Sequence, residues 1–273
     1  MEIVEYLQYG FIQRALLCGS FIALLCSTLG VLLVLRRFSL LGDGLAHVTF
    51  GSVALGLALR VYPLYVSLPV VMLSSVGILR LAQKARLYGD AAIGIVSSFG
   101  IAAGVILASA AGGFNVDLFS YLFGNILAIG PEEVTLSVIL SLVVLVTVVL
   151  FFQEIFSVTF DEEFARASGI ATERLNVILV LLTAVTVVLT MNVVGILLVT
   201  ALLILPAVTA LQLAKGFKSA ILLSAAVSLA AVIGGIVVSL LLNLPTGAVI
   251  VMTNFVLFLV AFGVRACRRR GRN

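Results

Sequence analysis

Nine apolar runs, each roughly 18 to 24 residues long, follow one another through this chain of 273 residues. A helix rises 1.5 Å per residue, so about 20 apolar residues cross the ~30 Å hydrocarbon core of a bilayer. No water is available there to bond the backbone, which leaves the helix as the form such runs take. The runs lie near 12–35, 43–60, 63–80, 91–111, 133–152, 174–191, 194–213, 219–242 and 246–265. The expectation is an all-α polytopic membrane protein with about nine transmembrane helices. Residues 1–273 hold no soluble stretch long enough for a second domain, so one transmembrane domain is expected. Charged residues make up 10% of the chain, against about 25% in soluble domains, so the lipid bilayer is its solvent. Glu2 and Glu5 stand where a cleavable signal carries basic residues, so no such signal is expected.

Basic residues orient the spans. With the connection after the first run in the cytoplasm, Arg36, Arg37, Arg80, Lys84, Arg86, Arg166, Arg174, Lys215, Lys218, Arg265, Arg268, Arg269, Arg270 and Arg272 share that side. The opposite side keeps only Arg14 and Arg60 of the 16 basic residues. This is the positive-inside bias. An outer N-terminus and a cytoplasmic C-terminus require an odd number of spans, which nine satisfies. The basic residues are dispersed over loops, so the net charge of +4 reports topology and gives no ground for nucleic acid binding.

Two connections are long enough to carry structure. The outer one, 112–132, interleaves Phe114, Phe119, Tyr121 and Phe123 with glycines. It suits an interfacial or re-entrant helix, or an ordinary interfacial loop. In the inner one, 153–173, Asp161 is a good N-cap, Glu162 and Glu163 favour a first helical turn, and Gly169 is a good stop. A helix of about two turns is expected there, with Phe164, Ala167 and Ile170 forming an apolar patch. So short a helix needs a surface to dock on. Pro206 is expected to kink the seventh run. Glycines such as Gly51, Gly100 and Gly104 let helices approach closely.

Several chemistries are excluded. Lys215-Gly216-Phe217-Lys218-Ser219 lacks the first glycine and spacing of a phosphate-binding loop, so the chain has no ATPase site of its own. HExxH and GxSxG are absent. Cys18, Cys26 and Cys267 have no metal-ligand spacing and read as small apolar filler. No covalently bound cofactor is indicated, and the chain does not read as an enzyme.

What remains is Asp43 and His47. His47 is the only histidine, and Asp43 is an acid set in the otherwise apolar stretch that opens the second run. Four apart on a helix, they share one face. A carboxylate and an imidazole so placed can hold a borderline divalent cation such as zinc or manganese. Two ligands are too few for a tight site, as transport requires. The plainer roles are an N-cap for Asp43 and a buried, hydrogen-bonded histidine for His47. Ionisable groups inside a membrane point to function.

Five stretches together resemble the metal-ion permease family of ABC transporters, most closely the zinc-uptake (ZnuB-like) permeases. They are Leu35-Arg36-Arg37-Phe38-Ser39-Leu40-Leu41-Gly42-Asp43-Gly44-Leu45-Ala46-His47; Val116 through Gly124 with Pro131-Glu132-Glu133; Asp161 through Ile170; Val194 through Ala207; and Leu244-Pro245-Thr246-Gly247. The resemblance implies a homodimeric permease of type II importer architecture in the cell (inner or plasma) membrane. It implies cytoplasmic ATP-binding subunits and an extracytoplasmic metal-binding protein as partners. It makes Asp43 and His47 the lining of the metal path. It also makes the helix near 161–170 the coupling helix that docks on the ATPase, carried by Asp161, Glu162, Glu163, Phe164, Ala165, Arg166, Ala167 and Gly169. The function implied is import of a divalent metal, zinc or manganese, driven by ATP hydrolysed on another subunit. Two alternatives stay open: a proton-coupled secondary metal transporter, and a permease of the same fold for a siderophore or cobalamin. One tension remains. Asp43 at the cytoplasmic start of the second span is shallow for a site fed from outside, unless that region is broken or reoriented.

Overall fold

Apolar runs without a polar face form helices that bury one side in a bundle and leave the other to lipid. The computed structural model describes residues 9–84, 89–110, 121–122, 124 and 130–270. Eleven α-helices follow in chain order: α1 Gly10–Leu35, α2 Leu41–Ala58, α3 Pro63–Lys84, α4 Gly89–Ala110, α5 Pro131–Leu150, α6 Phe152–Phe160, α7 Glu162–Ala167, α8 Thr172–Val194, α9 Val199–Leu213, α10 Phe217–Leu242 and α11 Thr246–Arg270. Eight of them are long and apolar enough to cross a membrane. The helix α9 is shorter. Most of the 112–132 connection, and with it the expected interfacial helix, lies outside the described residues.

The helices α1, α2 and α8 are the buried centre, while α3, α4, α5, α10 and α11 keep much of their apolar surface outward. Many polar groups in the centre are paired along their own helices or across them. The hydroxyls of Thr183, Thr186 and Thr190 each donate to the carbonyl four residues back. Thr190 also meets Cys26 Sγ at 3.3 Å, and Ser52 donates to Ser67 across 2.8 Å. Such bonds are the available partners where water is absent.

The pair α2–α4 is the tightest contact. A Cβ on Gly51 would stand 2.6 Å from the carbonyl oxygen of Gly100. One on Gly100 would stand 2.8 Å from Val48 Cα and 3.0 Å from His47 O. Backbone meets backbone here, which only small residues permit. The segment bearing Asp43 and His47 is therefore clamped against α4.

The seventh apolar run departs from expectation. It is not one full span. Gly195, at φ 90° and ψ 155°, ends α8, a single 3₁₀ turn Ile196–Leu198 follows, and α9 begins at Val199. That backbone conformation is open essentially only to glycine. At 15 residues α9 is ~22 Å long, too short for a ~30 Å core. Its Leu213 end leads through Lys215 to Lys218, the cytoplasmic side by the positive-inside bias. Its Val199 end therefore lies within the membrane. Pro206 sits buried in the middle of a continuous α9.

Two smaller features escape the hydropathy pattern. The fifth run stops at Leu150, and after Phe151 the chain forms α6, an amphipathic helix. It buries Ile155 and Val158 and gathers Phe152, Phe156 and Phe160 around Phe217 at 5.2–5.8 Å. After α1, Arg37 takes φ 60°, and Phe38 N–H bonds Leu33 O while Arg37 N–H bonds Val34 O. This Schellman turn, with arginine in place of the usual glycine, reverses the chain into α2.

Candidate metal path and coupling helix

Asp43 occupies the first turn of α2, but the capping position is Leu40, not Asp43. The N-cap role weighed for Asp43 is thereby corrected. Its carboxylate is free to face sideways, where Thr200 of α9 donates a hydroxyl hydrogen bond to Oδ1 at 3.3 Å. The other oxygen, Oδ2, faces His47 Nε2 at 3.6 Å. The side chains of His47 and Asp43 are 30% and 50% exposed. His47 is thus not a sealed core histidine tied to a neighbouring helix. Its described polar contact is Asp43, one turn away on the same face.

The neighbours explain why this face stays open. Gly42 packs on Leu203 of α9, and Gly44 packs on Ile93 of α4. Helix surfaces close both flanks and leave Asp43 and His47 between them. No group of three His, Cys, Asp or Glu side chains forms among the described residues.

The short α9 bears on the shallow position expected from the sequence. Thr200 lies 13 residues from Leu213 in α9, or ~20 Å along the helix axis from its cytoplasmic end. Asp43, in the first turn of α2, bonds Thr200 at the end of α9 opposite Leu213. The short α9 and its glycine hinge meet the start of α2 there.

The cytoplasmic helix α7 forms where expected. Asp161 Oδ1 accepts from Phe164 N–H at 2.9 Å, the N-cap bond. At the other end Gly169, at φ +85°, closes a Schellman motif: Ile170 N–H bonds Ala165 O and Gly169 N–H bonds Arg166 O. The apolar patch is split. Ala165 is fully buried and Ile170 packs inward with it. Phe164 projects outward, 67% exposed, beside the exposed Glu163 and Ala167. Glu162 turns back toward the bundle. It meets Arg36 Nη2 at 3.8 Å, Arg166 Nη2 at 3.6 Å and Asn176 Nδ2 at 3.1 Å. Arg36 in turn donates to Asn176 Oδ1 at 2.5 Å. Burial draws the Arg36 guanidinium below its ordinary pKa, while Glu162 pulls it back up.

Thr200, Arg36 and Asn176 were not singled out by sequence reasoning. Thr200 is one hydroxyl among many in apolar runs. Arg36 reads as a topology signal, and Asn176 is a lone amide within the sixth apolar run.

The profile of the ABC 3 transport family matches residues 8–265. The chain belongs to the ABC 3 transport family. It is 33% identical over 256 residues to the manganese transport system membrane protein MntC of Listeria innocua, covering 94% of this chain and 91% of that one. It is 32% identical over 247 residues to the high-affinity zinc uptake system membrane protein ZnuB of Haemophilus influenzae, covering 90% and 95%. The permease fold resembles a chain of the solved PsaBC complex from Streptococcus pneumoniae, with TM-score 0.85, 31% identity, and 95% and 94% of the two chains covered. As an ABC 3 family member the chain is a multi-pass membrane permease and not an ATPase. Membership implies ATP-hydrolysing and substrate-binding partners. It sets aside the proton-coupled alternative.

Proposed function

We propose that this ABC 3 permease moves a divalent first-row metal ion, manganese or zinc, inward past Asp43 and His47. The observation that carries the reading is the Asp43–His47–Thr200 grouping: a carboxylate, an imidazole and a hydroxyl, partly open, where the starts of two apolar helices meet. Relatives named for manganese and for zinc stand at nearly equal identity, so the zinc-like wording of Gly42 to His47 does not single out zinc. Imidazole suits zinc, while carboxylate and hydroxyl oxygens suit manganese.

The ion is substrate, not a resident cofactor. One carboxylate and one imidazole leave most of its coordination to others. A second copy of the chain, placing a second Asp43 and His47 across a homodimer axis, completes four ligands, and water supplies the rest. Such a site loosens when the two copies part, which lets the ion leave. The extracytoplasmic binding protein delivers the ion. The ATP-binding subunits grip α7 through the outward Phe164, Glu163 and Ala167.

The test is ATP-dependent uptake of manganese and of zinc into liposomes holding the permease with its ATPase and binding protein. Asp43→Ala and His47→Ala are each expected to cut uptake more than tenfold while the complex still assembles. Normal uptake in both variants sinks the site. Uptake of a metal chelate with neither free ion moving replaces the substrate class.

A further inference from the structure

The cluster around Arg36 joins the cytoplasmic helix to the metal pair by two routes. Its members come from three elements: Arg36 caps α1, Glu162 opens α7, and Asn176 lies in the first turns of α8. The Arg36 side chain is only 8% exposed. A buried guanidinium is costly unless its partners stay in place. Among the described residues Glu162 is the acid paired with it, Asn176 accepts its hydrogen bond, and Phe38 lies under it at 6.0 Å.

The first route runs forward along the chain. Residues 37–40 alone separate Arg36 from α2, and the backbone bonds Phe38 to Leu33, Leu41 to Phe38 and Gly44 to Leu40 leave that turn little slack. Asp43 follows at once. The second route runs up α8 from Asn176 to Gly195, whose positive φ aims α9 and Thr200 at Asp43. Both routes end on the two partners of one hydrogen bond.

We propose that Arg36 is a positioning residue that transmits displacement of α7 to the Asp43–His47 pair, making ATP hydrolysis and metal release one event. This rests on the transport reading above. When the ATPase draws α7, Glu162 moves, and Arg36 and Asn176 follow because separating them strands a buried charge. The start of α2 and the start of α9 then shift together.

The experiment compares metal ions transported per ATP hydrolysed in liposomes holding the whole transporter. Arg36→Gln is expected to lower that ratio at least tenfold, with ATP still hydrolysed and the yield of assembled complex unchanged. Arg36→Lys keeps a positive charge without the fork and recovers part of the ratio. The exchange Arg36→Glu with Glu162→Arg recovers more than either change alone. Asn176→Leu, which keeps all charges, is expected to lower the ratio severalfold and serves if Arg36→Gln does not fold. A wild-type ratio in Arg36→Gln or in Asn176→Leu overturns the proposal, as does loss of transport only in proportion to lost complex. A wild-type transporter that hydrolyses ATP but moves neither metal overturns the transport reading itself.

Discussion

The Thr200 hydroxyl donates to Asp43 Oδ1 at 3.3 Å, joining the first turn of α9 to the first turn of α2 across 157 residues of chain. It fixes the carboxylate on one side while His47 flanks it on the other. Hydrogen bonds to charged groups are worth about 1.5–3 kcal/mol when well buried. Asp43 is half exposed, so about 1 kcal/mol is the proper scale. Thr200→Val is therefore expected to weaken metal uptake about fivefold, seen as a higher metal concentration for half-maximal rate. Thr200→Ser restores the hydroxyl and the rate. An unchanged concentration dependence in Thr200→Val removes Thr200 from the path.

The hinge at Gly195 carries the second prediction. At φ 90° and ψ 155° an L side chain is strained by an order of 1–3 kcal/mol. Gly195→Ala is expected to lower the unfolding temperature in detergent by several degrees. Because the hinge aims Thr200, uptake should fall beyond what the lost protein explains. A variant with unaltered melting and uptake shows that α9 does not depend on this turn.

Most of the membrane architecture was legible because a bilayer translates directly into run length and loop charge. The α1, α4 and α8 segments start within about two residues of the apolar runs that announced them. The seventh run misled for a physical reason. Hydropathy cannot see that Gly195 takes a positive φ, and so it merges a 3₁₀ turn and a short helix into one span. The Asp43–His47 pair stood out because acids and histidines are scarce in apolar runs. Thr200 and Arg36 did not, since a hydroxyl is cheap in a helix that offers it an i−4 carbonyl and an arginine at a span end is the rule. Their roles come from tertiary approach, and one sequence has no periodicity that encodes it.

The close approach of α2 to α4 supplies a contrast within one helix. A Cβ on Gly100 collides with Val48 and His47 backbone atoms at 2.8–3.0 Å, whereas one on Gly94 meets nothing within 4 Å. Backbone cannot rotate away as a side chain can. Gly100→Ala is expected to part the helices, lower thermal stability and displace His47, reducing uptake. Gly94→Ala should leave both unchanged. Melting curves and uptake for the two variants decide it, and equal behaviour refutes the clamp.

The last prediction separates the folding of α7 from its docking. Asp161→Ala removes the N-cap bond to Phe164 at a cost of about 1 kcal/mol. In a six-residue helix that loss loosens the whole turn, so affinity for the ATPase should drop severalfold. Asp161→Asn keeps a capping oxygen and should bind nearly as wild type. Phe164→Ala acts differently. Its ring is 67% exposed, so removing it leaves α7 folded. An aromatic anchor filling a partner's pocket is worth about 2 kcal/mol or more, which is at least a tenfold loss of affinity. Titrating purified ATPase against permease in detergent measures all three variants. If Phe164→Ala binds as tightly as wild type while Asp161→Ala does not, α7 docks through its backbone and charged residues, and the Phe164 contact is refuted.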